Sequence, residues 1–143
     1  MQPSVTEQIE VQTRRRNEMV EITSAVEKMC ARAELNDGIV YVFVPHTTAG
    51  VTIQENADPD VKHDLLAKLE ALIPHREGYY RHAEGNSDSH LKTAFVGNSA
   101  TIFARNQKPT LGTWQGVYLC EFDGPRTRTV ILKAVQTGRS DRT

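Results

Sequence analysis

The sequence predicts an α+β fold: an antiparallel sheet or sandwich covered by two main helices. Segments of strand character outnumber those of helical character. Their connections look hairpin-like, not like alternating strand–helix–strand crossovers, which would favour a parallel sheet. At 143 residues, with no long linker and no internal repeat, the chain suits one domain. We assign residues 1–138 to it and treat RSDRT, residues 139–143, as a loose polar tail.

The elements follow in order. Val5, Ile9 and Val11 fall mostly at alternate positions, as in a strand with one wet face. The run Arg14-Arg15-Arg16 reads as the solvated end of that strand, with anion steering as the alternative. Ile22, Ala25, Val26, Met29, Cys30 and Ala33 recur at helical spacing, and Ser24 with Glu27 fits a capping box. Asn36-Asp37-Gly38 ends this helix. IVYVFV, residues 39–44, is a buried strand closed by Pro45; HTTAG turns the chain, and VTIQE begins the next strand.

Asp58-Pro59 is an acidic cap followed by proline at the first helical position. Val61, Leu65, Leu66, Leu69, Leu72 and Ile73 then form one apolar face up to Pro74. Asn86 or Ser87 caps a short helix holding His90, Leu91, Ala94 and Phe95. Strands are expected over 99–105, 116–122 and 127–136, the last two joined by the turn sequence DGPR. Few strand faces are purely polar, so self-association is expected to bury part of the sheet.

Charged residues at 24 % and hydrophobic residues at 38 % describe an ordinary water-soluble chain, and a net charge of −1 argues against a nucleic-acid binder. Cys30 and Cys120 stand far apart, outside any CxxC pattern, and read as small core residues. The opening MQPSVTEQIEVQT has no apolar signal core, and IVYVFV is too short to span a bilayer. A cytoplasmic protein without a membrane partner is expected.

The chemistry concentrates in HAEGNSDSHLK, residues 82–92. As a metal site, His82 and His90 would share a divalent ion, with Glu84 or Asp88 adding oxygen and His46 arriving from another loop. The spacing is not diagnostic, because no HExxH is present and each histidine could equally bond neighbouring backbone. As an anion site, the amides of a helix beginning near Ser87 would face phosphate, joined by Lys92, Arg126 and the hydroxyls of Thr47 and Thr48. Alternatively, Asp88 and Lys92, four apart, pair on an exposed helix face. A diphosphate ester would use both sets: Asp58, Glu84 and Asp88 for Mg²⁺, and cations for the phosphate oxygens. Capping already accounts for Asp58. Trp114 either stacks on a planar heterocycle or plugs the core or an interface. His63 reads as a surface residue, and His75 has no assigned role. No GxSxG elbow supports a serine nucleophile.

Together, HTTAGVTIQENADPD, HAEGNSDSHLK and LGTWQGVYLCEFDGPR resemble the YjbQ-like family, also called secondary thiamine-phosphate synthases. The resemblance covers nearly the whole chain. It implies a compact α+β subunit assembled as a homotrimer, with a pocket of polar loops at or near subunit boundaries. The family's motif histidines correspond to His46, His82 and His90. Its polar motif residues correspond to Thr47, Thr48, Asn56, Glu84, Asn86, Asp88, Lys92, Trp114, Gln115, Glu121 and Arg126. The implied reaction joins a hydroxymethylpyrimidine diphosphate to a thiazole phosphate and releases pyrophosphate. On that reading His82, His90, Asp88 and Glu84 form the catalytic set, and Lys92 and Arg126 bind phosphate. Thr47, Thr48, Asn86, Trp114 and Gln115 complete the binding set. The divalent ion would be Mg²⁺ or Zn²⁺, with His46, His82 and His90 as its candidate ligands. A metal-dependent hydrolase of a small anionic substrate and a non-catalytic trimeric metabolite-binding protein are the alternatives.

Overall fold

The computed structural model describes residues 4–138, so the tail expected at 139–143 lies outside the described residues. In chain order the elements are β1 (Ser4–Gln12), β2 (Glu18–Glu21), α1 (Thr23–Arg32), β3 (Asp37–Phe43), β4 (Ala49–Glu55) and α2 (Pro59–Leu72). They continue with α3 (Ser87–Val96), β5 (Ser99–Arg105), β6 (Lys108–Pro109), β7 (Gln115–Glu121) and β8 (Thr127–Gln136). Every strand pairing is antiparallel. The strands form one sheet in the order β1-β8-β3-β5-β6 and a second in the order β2-β7-β4. Among the described residues there are three helices, the two main ones and the short one expected near Ser87, which is as long as α1.

Alternation explains how the sheets meet. Val40, Val42, Ile102, Ala104, Val130, Leu132 and Ala134 face inward from the five-stranded sheet. They pack on Ala49, Val51, Val117 and Leu119 of the three-stranded sheet, with Val26, Met29 and Cys30 of α1 joining the same core. The other face of the small sheet carries Met19, Tyr118 and Cys120, with Phe122 just beyond β7; they pack on Leu65, Leu66 and Leu69 of α2 and Val96 beyond them. Strand β7 is therefore covered on both faces, and only its first residue, Gln115, is exposed. Cys30 and Cys120 are free and buried, and burial pushes their thiols up to about 11 and about 12.

Two local expectations change. Ile22, not Ser24, is the N-cap of α1, and no side chain caps it. Thr23 instead donates its hydroxyl to Glu21 and accepts the Val117 amide, so it ties the helix start to the sheet. Residues 18–21, unassigned in the sequence, form an edge strand because they pair with β7. Asp58 caps α2 as expected, accepting from the Asp60 amide at 2.9 Å. The β5–β6 connection is a two-residue hairpin in which Asn106 and Gln107 have φ of 53° and 63°. Glycine is the usual second residue of such a turn, and a residue with a Cβ there carries about 1 kcal/mol of strain.

Candidate functional site

The helix α3 is built inside out. Its buried residues are Asp88, Ser89, Lys92 and Thr93, whereas Leu91 and Phe95 face outward. The Thr93 hydroxyl has no hydrogen-bond partner, but the other three side chains are engaged, which makes the polar side tolerable. Arg16 Nη1 and Nη2 donate to the two Asp88 carboxylate oxygens at 2.8 and 3.0 Å. Lys92 Nζ donates to Glu70 of α2 at 2.8 Å, to Asp88 at 3.3 Å and to Asn17 at 3.3 Å. Ser89 Oγ donates to the Phe122 carbonyl at 2.6 Å. Burial alone would raise the Asp88 carboxyl, but Arg16 and then Lys92 outweigh it and leave it below the usual carboxylate value.

A second enclosed cluster adjoins the turn before β8. Glu121, with none of its surface exposed, accepts from Arg128 on both oxygens, from Thr13 Oγ1 at 2.8 Å and from the Asp123 amide at 2.9 Å. Arg128 Nη2 also donates to Thr48 Oγ1 at 2.8 Å. Asp123 then links outward: Oδ2 accepts from Asn86 Nδ2 at 2.9 Å and from Arg126 Nη2 at 3.0 Å. Gly124 lets the chain close here, since a Cβ would lie 2.2 Å from the Arg15 carbonyl. His46 Nε2 accepts from the Thr129 amide at 2.9 Å, which places its proton on Nδ1. Burial first, then Arg128, lowers its basicity.

Open space adjoins the N-terminal end of α3. A cleft of about 520 Å³ is lined by Tyr79, Tyr80, Arg81, His82, Ser87, His90 and Leu91. A hollow of about 190 Å³ adjoins it and shares Tyr80, His82 and Ser87. The rings of His82 and His90 meet edge-to-face with centroids 5.2 Å apart. Glu84 Oε1 lies 3.8 Å from His82 Nε2 on the exposed rim. His75 Nε2 donates to the Gly85 carbonyl at 3.0 Å, and Gly85 has φ of 73°, so the loop folds back over the helix start. The first-turn amides of Ser87 and Asp88 have no acceptor one turn back, as at any helix start.

The structure thus sorts the sequence-selected residues into groups. His82, His90 and Glu84 come together, with Ser87 beside them. Asp88, Lys92, Asn86, Thr48, Glu121 and Arg126 are held in the ionic framework behind. His46 bonds the Thr129 amide, and Thr47 is exposed. Among the described residues, no three His, Cys, Asp or Glu side chains are placed to hold a metal ion. Trp114 is 62 % exposed, and Gln115 lines a different cavity from the histidines. The sequence singled out none of Glu70, Arg128, Tyr79, Tyr80 and Arg81, and it marked Arg16 only as part of the basic run 14–16. Arg128 was within reach, because it occupies an inward position of the strand TRTVILKAVQ, where a buried arginine requires an anionic partner. Nothing in RRR distinguishes Arg16 from its neighbours.

The family profile described as "UPF0047 protein YjbQ-like" matches residues 7–137. The UPF0047 protein MJ1081 of Methanocaldococcus jannaschii is 48 % identical over 126 residues, covering 88 % of this chain and 91 % of the relative. The UPF0047 protein YugU of Bacillus subtilis is 46 % identical over 125 residues, 87 % of this chain and 95 % of its own. A crystal structure of a YjbQ/UPF0047 protein from Clostridium acetobutylicum superposes with a TM-score of 0.88 at 45 % identity, covering 90 % of this chain and 99 % of that one. SSO2532 of Sulfolobus solfataricus, described as a protein of unknown function, gives 0.89 at 29 % identity, covering 94 % and 98 %.

Proposed function

This chain belongs to the UPF0047 YjbQ-like family, and we propose that it transforms a phosphorylated small molecule in the cleft between Tyr79 and Leu91. The reaction we assign is that of a secondary thiamine-phosphate synthase. The thiazole nitrogen attacks the methylene carbon of the pyrimidine diphosphate. The new C–N bond forms as the C–O bond to diphosphate breaks, and pyrophosphate leaves with the electron pair. The observation that carries this reading is the composition of one cleft: two tyrosine rings, the Arg81 cation and the His82–His90 pair beside the first turn of α3. Arg81 and the helix-start amides would neutralise phosphate oxygens. His82 or His90 would hydrogen-bond the departing pyrophosphate, and the tyrosine rings would flank the heterocycles.

Asp88 and Lys92 take a positioning role on this reading, because their partners already saturate them. The chain offers a His pair rather than a complete metal cage, so a divalent ion would arrive with the diphosphate, whose oxygens supply the missing ligands. We further propose that the protein acts as a cytoplasmic homotrimer; among the described residues no helix is long and apolar enough to cross a membrane.

The test combines pyrimidine diphosphate, thiazole phosphate and Mg²⁺ with the purified protein and measures thiamine phosphate and pyrophosphate together. Equimolar products, reduced at least tenfold in Arg81→Ala and His90→Ala, are expected. No product from the wild type would sink the proposal. Stoichiometric zinc that disappears in the His82→Ala/His90→Ala variant would move the assignment to metal-assisted hydrolysis.

A further inference from the structure

We propose a second ligand site in the cavity of about 530 Å³ bordered by Thr23, Glu27, Asn56, Gln107, Lys108 and Gln115. It would take an uncharged nitrogen heterocycle whose edge carries both donors and acceptors, an aminopyrimidine or a purine base. The cavity shares no lining residue with the histidine cleft and stands whether or not that cleft is catalytic.

The polar groups of this cavity are oriented in advance. Gln115 Oε1 accepts the Gly112 amide at 2.8 Å, so its amino group is left to donate. Asn56 Nδ2 donates to Glu21 Oε2 at 3.1 Å, so its carbonyl oxygen is left to accept. The partners fix both amide orientations, since an amide proton faces one and a carboxylate the other. Glu21 is held in turn by the Thr23 hydroxyl at 2.8 Å. Gly116 underlies the pair: a Cβ there would lie 2.7 Å from Glu21 Oε2 and 2.9 Å from Asn56. A Cβ at position 116 would therefore push Glu21 and Asn56 out of this arrangement.

Gln107 supplies an independent observation. It occupies the second position of a two-residue hairpin at φ 63°, where glycine is relaxed and glutamine is not. Its backbone amide donates to the Leu35 carbonyl at 2.8 Å, a bond that glycine would make equally well. Only the side chain distinguishes the two residues, and Gln107 lines the cavity. Strain kept at a residue that lines a cavity is characteristic of binding sites. Carboxamides and a carboxylate are the groups that read exocyclic amines and ring nitrogens on a base edge. Pro109 and Leu111 add apolar wall for a ring face. Glu27 and Lys108 offset each other, which favours a neutral ligand over a phosphate.

Calorimetric titration of the full chain with cytosine and with adenine tests this, alongside Gln107→Gly and Glu27→Ala. Binding of at least one base to the wild type is expected, weakened tenfold or more in both variants. The thermal midpoint of Gln107→Gly should be equal to or above the wild type, which separates lost binding from lost folding. Failure of both bases to bind at millimolar concentration would overturn the proposal. So would wild-type affinity in Gln107→Gly. A lowered midpoint in that variant would show the glutamine serving the turn, and would overturn its assignment to a ligand.

Discussion

Asp88 receives two nitrogens of Arg16 and the ammonium of Lys92 while none of its own surface reaches water. Removing its charge leaves two cations facing a neutral amide in a poorly solvated place, and breaking one side of a buried pair typically costs ~3–5 kcal/mol. Arg16 is 28 % exposed and can recover some hydration, so Asp88→Asn should lose about 3 kcal/mol, the lower end of that range. Urea unfolding at neutral pH measures it. The pH dependence carries a second signature. The carboxyls of Asp88 and Glu121 are held below their ordinary values of 3.8 and 4.5, so the unfolded chain binds protons first as acid is added. Their stabilisation is fully present above about pH 4.5 and is lost as pH falls toward the depressed folded-state values. Asp88→Asn should flatten that acid limb. Sequence alone could not separate these roles. HAEGNSDSHLK announces polar chemistry, but a four-residue spacing places Asp88 and Lys92 together equally well on a wet or a buried face. The deciding partners, Arg16 and Glu70, come from distant elements.

At the scale of elements the sequence was far more legible. The alternation of TRTVILKAVQ located β8 at its observed bounds, Thr127–Gln136, and IVYVFV located most of β3. Asp58-Pro59 located the start of α2 because proline and an acidic cap serve only that position well. The short strands β2 and β6 escaped, and the start of α1 moved. β2 is four residues long and exists through its pairing with β7, which no local pattern encodes. α1 begins one residue before the Ser24 capping box because Thr23 is recruited by Glu21 and the Val117 amide, a tertiary contact that overrides the local signal. The α2 cap allows a clean test. Asp58 is exposed, and among the described residues its side chain bonds only the Asp60 amide. Asp58→Ala should therefore cost about 1 kcal/mol, the usual value of a cap. Chemical denaturation reads this loss directly. Any activity assigned to the histidine cleft should be unchanged, and a large loss of turnover would return Asp58 to the metal-binding candidates.

At the scale of the whole molecule, the described residues leave two apolar surfaces uncovered. On the outer face of the five-stranded sheet, Tyr41 and Phe43 of β3 stand beside Phe103 of β5, which is 65 % exposed. The register places Ile39 opposite both Phe103 and Val135, and Phe43 opposite Ile131, so the apolar row runs across three strands without interruption. The second surface is the outward side of α3, where Phe95 is 79 % exposed one turn beyond Leu91. A helix that buries its charges and presents its aromatic residue outward makes physical sense when something covers that side. A chain of net charge −1 has little repulsion to keep copies apart. The proposed homotrimer answers both exposures, and Leu91 joins its outward face to the histidine cleft that it also lines. Phe103→Glu should accordingly reduce the sedimenting mass from about three chains to one while leaving the far-ultraviolet circular dichroism intact. Phe95→Ser should weaken assembly and cleft activity together, because the covered helix face and the cleft share α3. A wild-type chain that sediments as a monomer at micromolar concentration would refute the trimer. An assembled Phe103→Glu variant would instead move the interface away from the five-stranded sheet.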